Sequence, residues 1–163
     1  MAVVAVTLAS APVAGPQGAW IARMEPWLSL GYGQAGLARF LRRSAGTEGV
    51  LIARDAGTRG PVLGIVVRQE GVLLGDFVSL LAVRPEAAGR GIGRALMAEV
   101  ETRTAERRRW LFVSADSENR GALAFYRKLG FTRVGRLPDL VKAGRIELLL
   151  RKAAQPSAPA ARR

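Results

Sequence analysis

The chain has 163 residues, 25 Lys plus Arg against 13 Asp plus Glu, and neither Cys nor His, for a formal charge of +12. Those absences exclude a disulfide scaffold, a thiolate or imidazole zinc site, a Cys nucleophile and a His general base. Any base must be a carboxylate, a Tyr, a Lys or a water, and the arginine excess favours an anionic partner: a phosphate-bearing small molecule, nucleic acid or an anionic membrane.

One domain is the default at this length, and 49% apolar residues suffice for one core. No apolar run reaches the roughly 18 residues of a membrane span. The opening MAVVAVTLASAPVAG mimics a secretory apolar segment but lacks a charged stretch before it, and its β-branched residues favour a first strand from Val3 to Leu8. After the Pro12 to Gly18 turn residues, Ile21, Met24, Trp27 and Leu28, then Leu37, Phe40 and Leu41, recur at helical spacing on either side of Gly31-Tyr32-Gly33. They predict two short helices. Gly49 to Arg54 and Val62 to Arg68 predict an antiparallel hairpin across the Asp55 to Pro61 turn. Gly71 to Val83 continues as strand with a turn or kink around Gly75-Asp76, and Pro85 ends it.

Gly89 to Arg109 reads as a helix, with Ile92, Leu96 and Val100 on one face and Glu99 four residues before Arg103. Leu111 to Val113 is a strand, Asp116 to Asn119 supplies cap residues, and Ala122, Phe125, Tyr126 and Leu129 mark a helix ending at Gly130. Strands around Phe131 to Leu137 and Ile146 to Leu150 complete one α/β domain over residues 1–152. Residues 153–163, AAQPSAPAARR, predict a disordered tail.

The segment LLAVRPEAAGRGIGRALM, Leu80 to Met97, runs from a strand through Gly89, Gly91 and Gly93 into a helix. Glycines let backbone approach a ligand closely, and the unpaired N–H groups of a helix start attract phosphate. Arg90 and Arg94 add charge there. The spacing G-x-G-x-G is not the G-x-G-x-x-G of a dinucleotide fold, and no G-K-[ST] follows, so a Walker loop is excluded.

A second block, NRGALAFYRKLGF at Asn119 to Phe131, comes after the first. Together they resemble the GNAT superfamily of acetyl-CoA-dependent N-acetyltransferases, bacterial type. The family's R/Q-x-x-G-x-G/A is matched by Ala88 to Gly93, with Ala88 in the first position, and its N-x-x-A-x-x-x-Y-x-x-x-G-F by the second block. The resemblance runs from about Val50 to Lys152. It implies a mixed, mostly antiparallel central sheet flanked by helices, with strands splayed at the cofactor site, and a cytoplasmic enzyme with no metal. It also implies that acetyl-CoA binds the main chain of Leu81, Ala82 and Val83 through its pantetheine arm, and Gly89, Arg90, Gly91, Ile92, Gly93 and Arg94 through its pyrophosphate. Asn119 is implied as a cofactor contact, although its place also suits a helix N-cap. Tyr126 is implied as the acid that protonates the leaving thiolate.

The base is not implied. Family members that carry a Glu on the strand before the loop would have it near Phe77, Ser79 or Leu80, and ribosomal-protein N-terminal acetyltransferases would have it at Ser114. Asp76, Asp116, Glu118 or a water remain. With no Cys, transfer is expected to be direct, in a ternary complex with a primary amine of a small molecule or protein. The acceptor pocket is expected around Glu25 to Tyr32 and Leu137 to Arg145, where Pro26 to Tyr32, PWLSLGY, is similar to a stretch in some bacterial members. Glu25, Asp116 and Asp139 are the acids to meet a cationic acceptor. A monomer or homodimer without a membrane partner is expected. The alternatives are an acyl-CoA-binding regulator without turnover, and a basic nucleic-acid module footed on Arg103, Arg107, Arg108 and Arg109, which lacks a stacking platform.

Overall fold

The computed structural model describes residues 4–46, 49–57 and 59–156. Seven strands form one sheet in the order β1-β2-β3-β4-β5-β7-β6. They are β1 Val4–Leu8, β2 Val50–Asp55, β3 Gly64–Val72, β4 Gly75–Val83, β5 Trp110–Asp116, β6 Thr132–Pro138 and β7 Ile146–Ala153. Only β4 and β5 run parallel. The mixed, mostly antiparallel sheet expected from the sequence is therefore present. Val3, expected in the first strand, lies outside the described residues.

Helices cover both faces because the inner strands are apolar on both. Along β2, Leu51 and Ala53 face one core with Ile92, Leu96, Met97 and Val100 of α4 (Ile92–Ala105) and Tyr126 of α5 (Arg120–Lys128). Val50 and Ile52 face the other, with Ala14 of α1 (Ala11–Ala14), Ile21 of α2 (Gly18–Ile21) and Leu37 and Leu41 of α3 (Gln34–Ala45). Each fully buried Ile, Leu or Val contributes about 2 kcal/mol of apolar burial. The Pro12 to Gly18 stretch, expected as turn residues, instead holds most of α1 and a 3₁₀ turn at Gly15–Gln17, while of the first expected helix only the end of α2 is present and residues 22–33 form a chain of turns before α3.

The β3–β4 turn differs from expectation. It lies at Leu73 and Leu74, which adopt φ of 51° and 61°, while Gly75 and Asp76 already belong to β4. Gly75 is there for close approach: a Cβ on it would fall 2.4 Å from the Trp110 carbonyl oxygen of β5. Residues 153–156, expected at the head of a disordered tail, are held. β7 extends through Ala153, the Ala154 N–H donates to the Arg109 carbonyl at 2.8 Å, and the Gln155 N–H to Glu101 at 3.1 Å. Residues 157–163 lie outside the described residues.

Candidate active site

β4 and β5 pair only at Asp76–Leu111, Phe77–Phe112 and Val78–Val113, although both strands continue. At Ser79 the β3–β4 register slips, with Val67 opposite Leu80 and Arg68 opposite Val78. Such a bulge bends a strand and re-aims the residues beyond it. From Ser79 onward the edge of β4 that faces β5 is unpaired, so the main chain of Leu81, Ala82 and Val83 keeps hydrogen-bonding capacity on that side.

A cavity of about 540 Å³ occupies this gap and passes through the sheet. Leu37 and Phe40 of α3 line it from one layer, Ala122 and Tyr126 of α5 from the other, and Ser79 to Leu81 and Ser114 to Asp116 from the parting strands. Pro26, Trp27, Leu30 and Tyr32 of the turns before α3 close one side, and Val141 of the β6–β7 hairpin joins them. Lys142 of that hairpin donates to the Ser29 carbonyl at 3.2 Å, which ties the two segments expected to form the acceptor pocket.

Beyond β4, Gly89 and Gly91 have φ of 76° and 79°, a left-handed backbone that L side chains rarely adopt. A Cβ on either would meet no protein atom within 4 Å, so the loop has room for a ligand against its backbone. Gly91 caps α4 without any side-chain hydrogen bond, which leaves the N–H groups of Ile92, Gly93 and Arg94 unpartnered within the helix. Gly93 packs tightly, its would-be Cβ 3.3 Å from the Phe125 ring. Arg94 is exposed at this end. The Arg90 guanidinium instead ion-pairs with Asp55 of β2, so Arg90 offers the loop its main chain. Ala88 is exposed and brings only a methyl group. An open strand edge, a glycine-lined phosphate cradle and a helix start fit a pantetheine arm and its pyrophosphate.

Asn119 takes the N-cap place that its position suggested. Its Oδ1 accepts the Ala122 N–H at 3.1 Å as the α5 N-cap, and the residue also lines the cavity. Tyr126 is buried, edge-on to Phe125 and Phe131 with ring centroids 5.4 and 5.6 Å away. Its hydroxyl has no hydrogen-bond partner among the described residues, and burial pushes its pKa well above the ordinary phenol value.

The structure removes most of the expected bases. Asp76 is no base: it lies at the closed end of β4, buried against Arg68 at 2.7 Å and Thr104 at 2.9 Å, and does not reach the cavity. Asp116 lines the cavity, but Arg145 holds it at 2.7 Å and its pKa lies below the usual aspartate value because of that hydrogen bond. Glu118 is exposed at the surface, 3.5 Å from Arg145. Glu25 accepts the Ser29 N–H and Asp139 the Gly144 N–H, each within its own turn.

The carboxylate missed by the sequence is Glu147. It is buried, lines the cavity and stands directly across from Asp116 in the β5–β7 ladder. Burial raises its pKa above the ordinary glutamate value. The Ser114 hydroxyl donates to it and lowers the pKa, Asp116 opposite raises it, and Arg145 lowers it. Thus the position at which the family resemblance looked for a Glu holds a Ser that hydrogen-bonds a Glu from the neighbouring strand.

Residues 46–133 match the acetyltransferase (GNAT) domain family. The chain belongs to the GNAT acetyltransferase family. Among solved structures, a GNAT-family acetyltransferase from Bacillus cereus ATCC 10987 is similar with a TM-score of 0.77 at 17% identity, covering 94% of this chain and 99% of that one. The ribosomal-protein-S18-alanine N-acetyltransferase from Escherichia coli has a TM-score of 0.72 at 15% identity, over 99% and 100% of the two chains. An N-acetyltransferase from Staphylococcus aureus Mu50 has a TM-score of 0.73 at 14% identity, over 94% and 99%. The GNAT chain is thus an acyltransferase of the acetyl-CoA-dependent fold. Among its described residues no helix is long and apolar enough to cross a membrane, and no three Cys, His, Asp or Glu cluster as a metal site.

Proposed function

We propose that this GNAT protein is an N-acetyltransferase that moves the acetyl group of acetyl-CoA directly to a primary amine within a ternary complex. The observation that carries this reading is the cavity through the β4–β5 gap, which lets two substrates meet from opposite layers of the sheet. When bound, acetyl-CoA supplies the acetyl thioester. The main chain of Leu81, Ala82 and Val83 holds the pantetheine arm as an added strand and polarises the acetyl carbonyl. The N–H groups of Gly89 through Arg94, with the charge of Arg94, hold the pyrophosphate. The Asn119 amide nitrogen, left free by the cap, orients the arm. Tyr126 stays protonated across the working pH range and donates its proton to the departing sulfur.

The reading is tested by incubating the protein with acetyl-CoA and a broad amine panel, following thiol release and acetylated product by mass spectrometry. Thiol release that requires an amine is the expected result. Coenzyme A binding with no thiol release across the panel would overturn the enzyme and leave a regulator. A salt-sensitive complex with random DNA, without turnover, would favour the nucleic-acid module.

A further inference from the structure

We propose that Glu147 receives the acceptor amine, and that the acceptor is a monocationic primary amine on an apolar body with no free carboxylate beside the nitrogen. This rests on the acetyl-transfer reading of the same cavity.

The first ground is which carboxylate is free. Of the acids near the cavity, Asp116 is held by Arg145 at 2.7 Å and also accepts the Glu118 N–H at 2.8 Å. Glu118 points to solvent beside Arg145. Glu147 lines the cavity and is buried, and among the described residues no cation lies within ion-pair distance of it. Its hydrogen-bond donor is the neutral Ser114 hydroxyl. A buried carboxylate with no cation in contact is costly, and an ammonium that enters relieves that cost. The groups that face it are Ser114 and Asp116 on β5 and Arg145 just before β7, and their net effect with burial is a carboxyl more basic than usual. Such a group can hold an ammonium and then take its proton.

The second ground is what the cavity lacks. Among the described residues no Lys or Arg lines it. A free α-carboxylate would enter without a counter-ion, next to Glu147 and Asp116, and would be repelled. Trp27, Leu30, Phe40 and Val141 face the space instead, so the body attached to the amine is apolar. A polyamine would place a second ammonium against those walls, and the chain's +12 charge opposes its approach.

In the transfer, Glu147 takes one proton from the ammonium, and the nitrogen lone pair bonds to the acetyl carbon as the C–S bond breaks. The sulfur leaves with the Tyr126 proton, and the second proton shed by the product nitrogen refills the phenol. One proton is released to solvent when Glu147 is reset.

The test compares 2-phenylethylamine, phenylalaninamide, phenylalanine, spermidine and a peptide with N-terminal Phe. Product is read by mass spectrometry, and amine binding by calorimetry in the presence of coenzyme A. Phenylalaninamide and 2-phenylethylamine should exceed phenylalanine and spermidine by about tenfold or more in kcat/KM, with the same order in binding. A peptide acetylated faster than phenylalaninamide assigns the amine to a protein N-terminus, and a slower one to a free amine; both support the shared chemistry. Glu147→Gln should lower kcat/KM by about 100-fold, weaken amine binding while leaving coenzyme A binding intact, and remove the acidic limb of the pH profile. Glu147→Asp, which keeps the charge, should retain that limb and guards against a Gln variant that fails to fold. Equal turnover of phenylalanine and phenylalaninamide, or a Gln variant with the wild-type pH profile, would overturn the proposal. Thiol release with phenylalanine or spermidine alone sinks this inference but not acetyl transfer; release with no amine at all sinks both.

Discussion

Tyr126→Phe separates chemistry from structure more cleanly than any other change in this site. The two edge-to-face contacts with Phe125 and Phe131, at 5.4 and 5.6 Å, belong to the ring and survive the substitution. The hydroxyl has no partner among the described residues, so no hydrogen bond within the fold is lost, and the stability change should stay within about 0.5 kcal/mol. Coenzyme A affinity should likewise hold, because the contacts proposed for Gly89 to Arg94 and the β4 edge are main chain. On the proposed mechanism, the chemical step loses its acid. General acid catalysis contributes about 10²- to 10⁴-fold, equal to about 3 to 5 kcal/mol of barrier. The measurements are kcat by thiol release under saturating substrates, coenzyme A affinity by calorimetry, and Tm. A raised phenol pKa adds a signature: the wild type should show no alkaline loss of activity that Phe removes, since Tyr126 does not ionise in the accessible range. An unchanged kcat, or a fall in kcat matched by an equal fall in coenzyme A affinity, would refute Tyr126 as the acid.

Gly91→Ala places a side chain at φ 79°, which costs about 1 to 2 kcal/mol of backbone strain and no clash. Coenzyme A affinity should drop by about tenfold beyond any effect on urea unfolding, and unchanged affinity would show that the loop is no cradle. Gly75→Ala should destabilise by about 3 kcal/mol, because its Cβ would sit 2.4 Å from the Trp110 carbonyl where the β4–β5 ladder cannot yield; an unaltered urea midpoint would contradict that. For Asp116, the folded pKa is depressed by Arg145, so its stabilisation is present above the ordinary aspartate pKa and lost as pH falls through the folded value. Asp116→Asn should therefore lower stability at neutral pH and converge with the wild type in acid, as urea titrations across pH will show. Glu147 has the opposite sign. Its folded pKa is raised, so the folded state is favoured below the ordinary glutamate pKa and loses stability as pH rises through the folded value. Glu147→Gln should thus be more stable than the wild type at neutral pH while less active, and a less stable variant would mean the carboxylate has a partner that solution reveals.

The glycine loop and the α5 block were legible because backbone tasks leave local marks. A left-handed φ asks for Gly at a fixed place, a helix start comes next, and Asn119 and Tyr126 are two turns of one short helix apart. The splay was legible only through the family resemblance, since three paired residues and a bulge at Ser79 have no signature in FVSLLAV. Asp76 and Gly75 misled for a common reason: a Gly-Asp pair is the ordinary mark of a turn. Here the glycine makes room for a carbonyl of β5 and the aspartate is buried beside Arg68 of the preceding strand, facts set by pairing across the sheet. Glu147 was hidden by the same kind of non-locality, because Ser114 and Glu147 meet only through the β5–β7 register. One local sign did exist. In IELLL, the first five residues of β7, the glutamate is the sole charge among apolar neighbours, and a carboxylate that a strand carries toward the interior, unpaired, lowers stability with no return in folding. Its presence is best explained by work the folded protein does with it, which is why the stability gain and the activity loss of Glu147→Gln should have one cause.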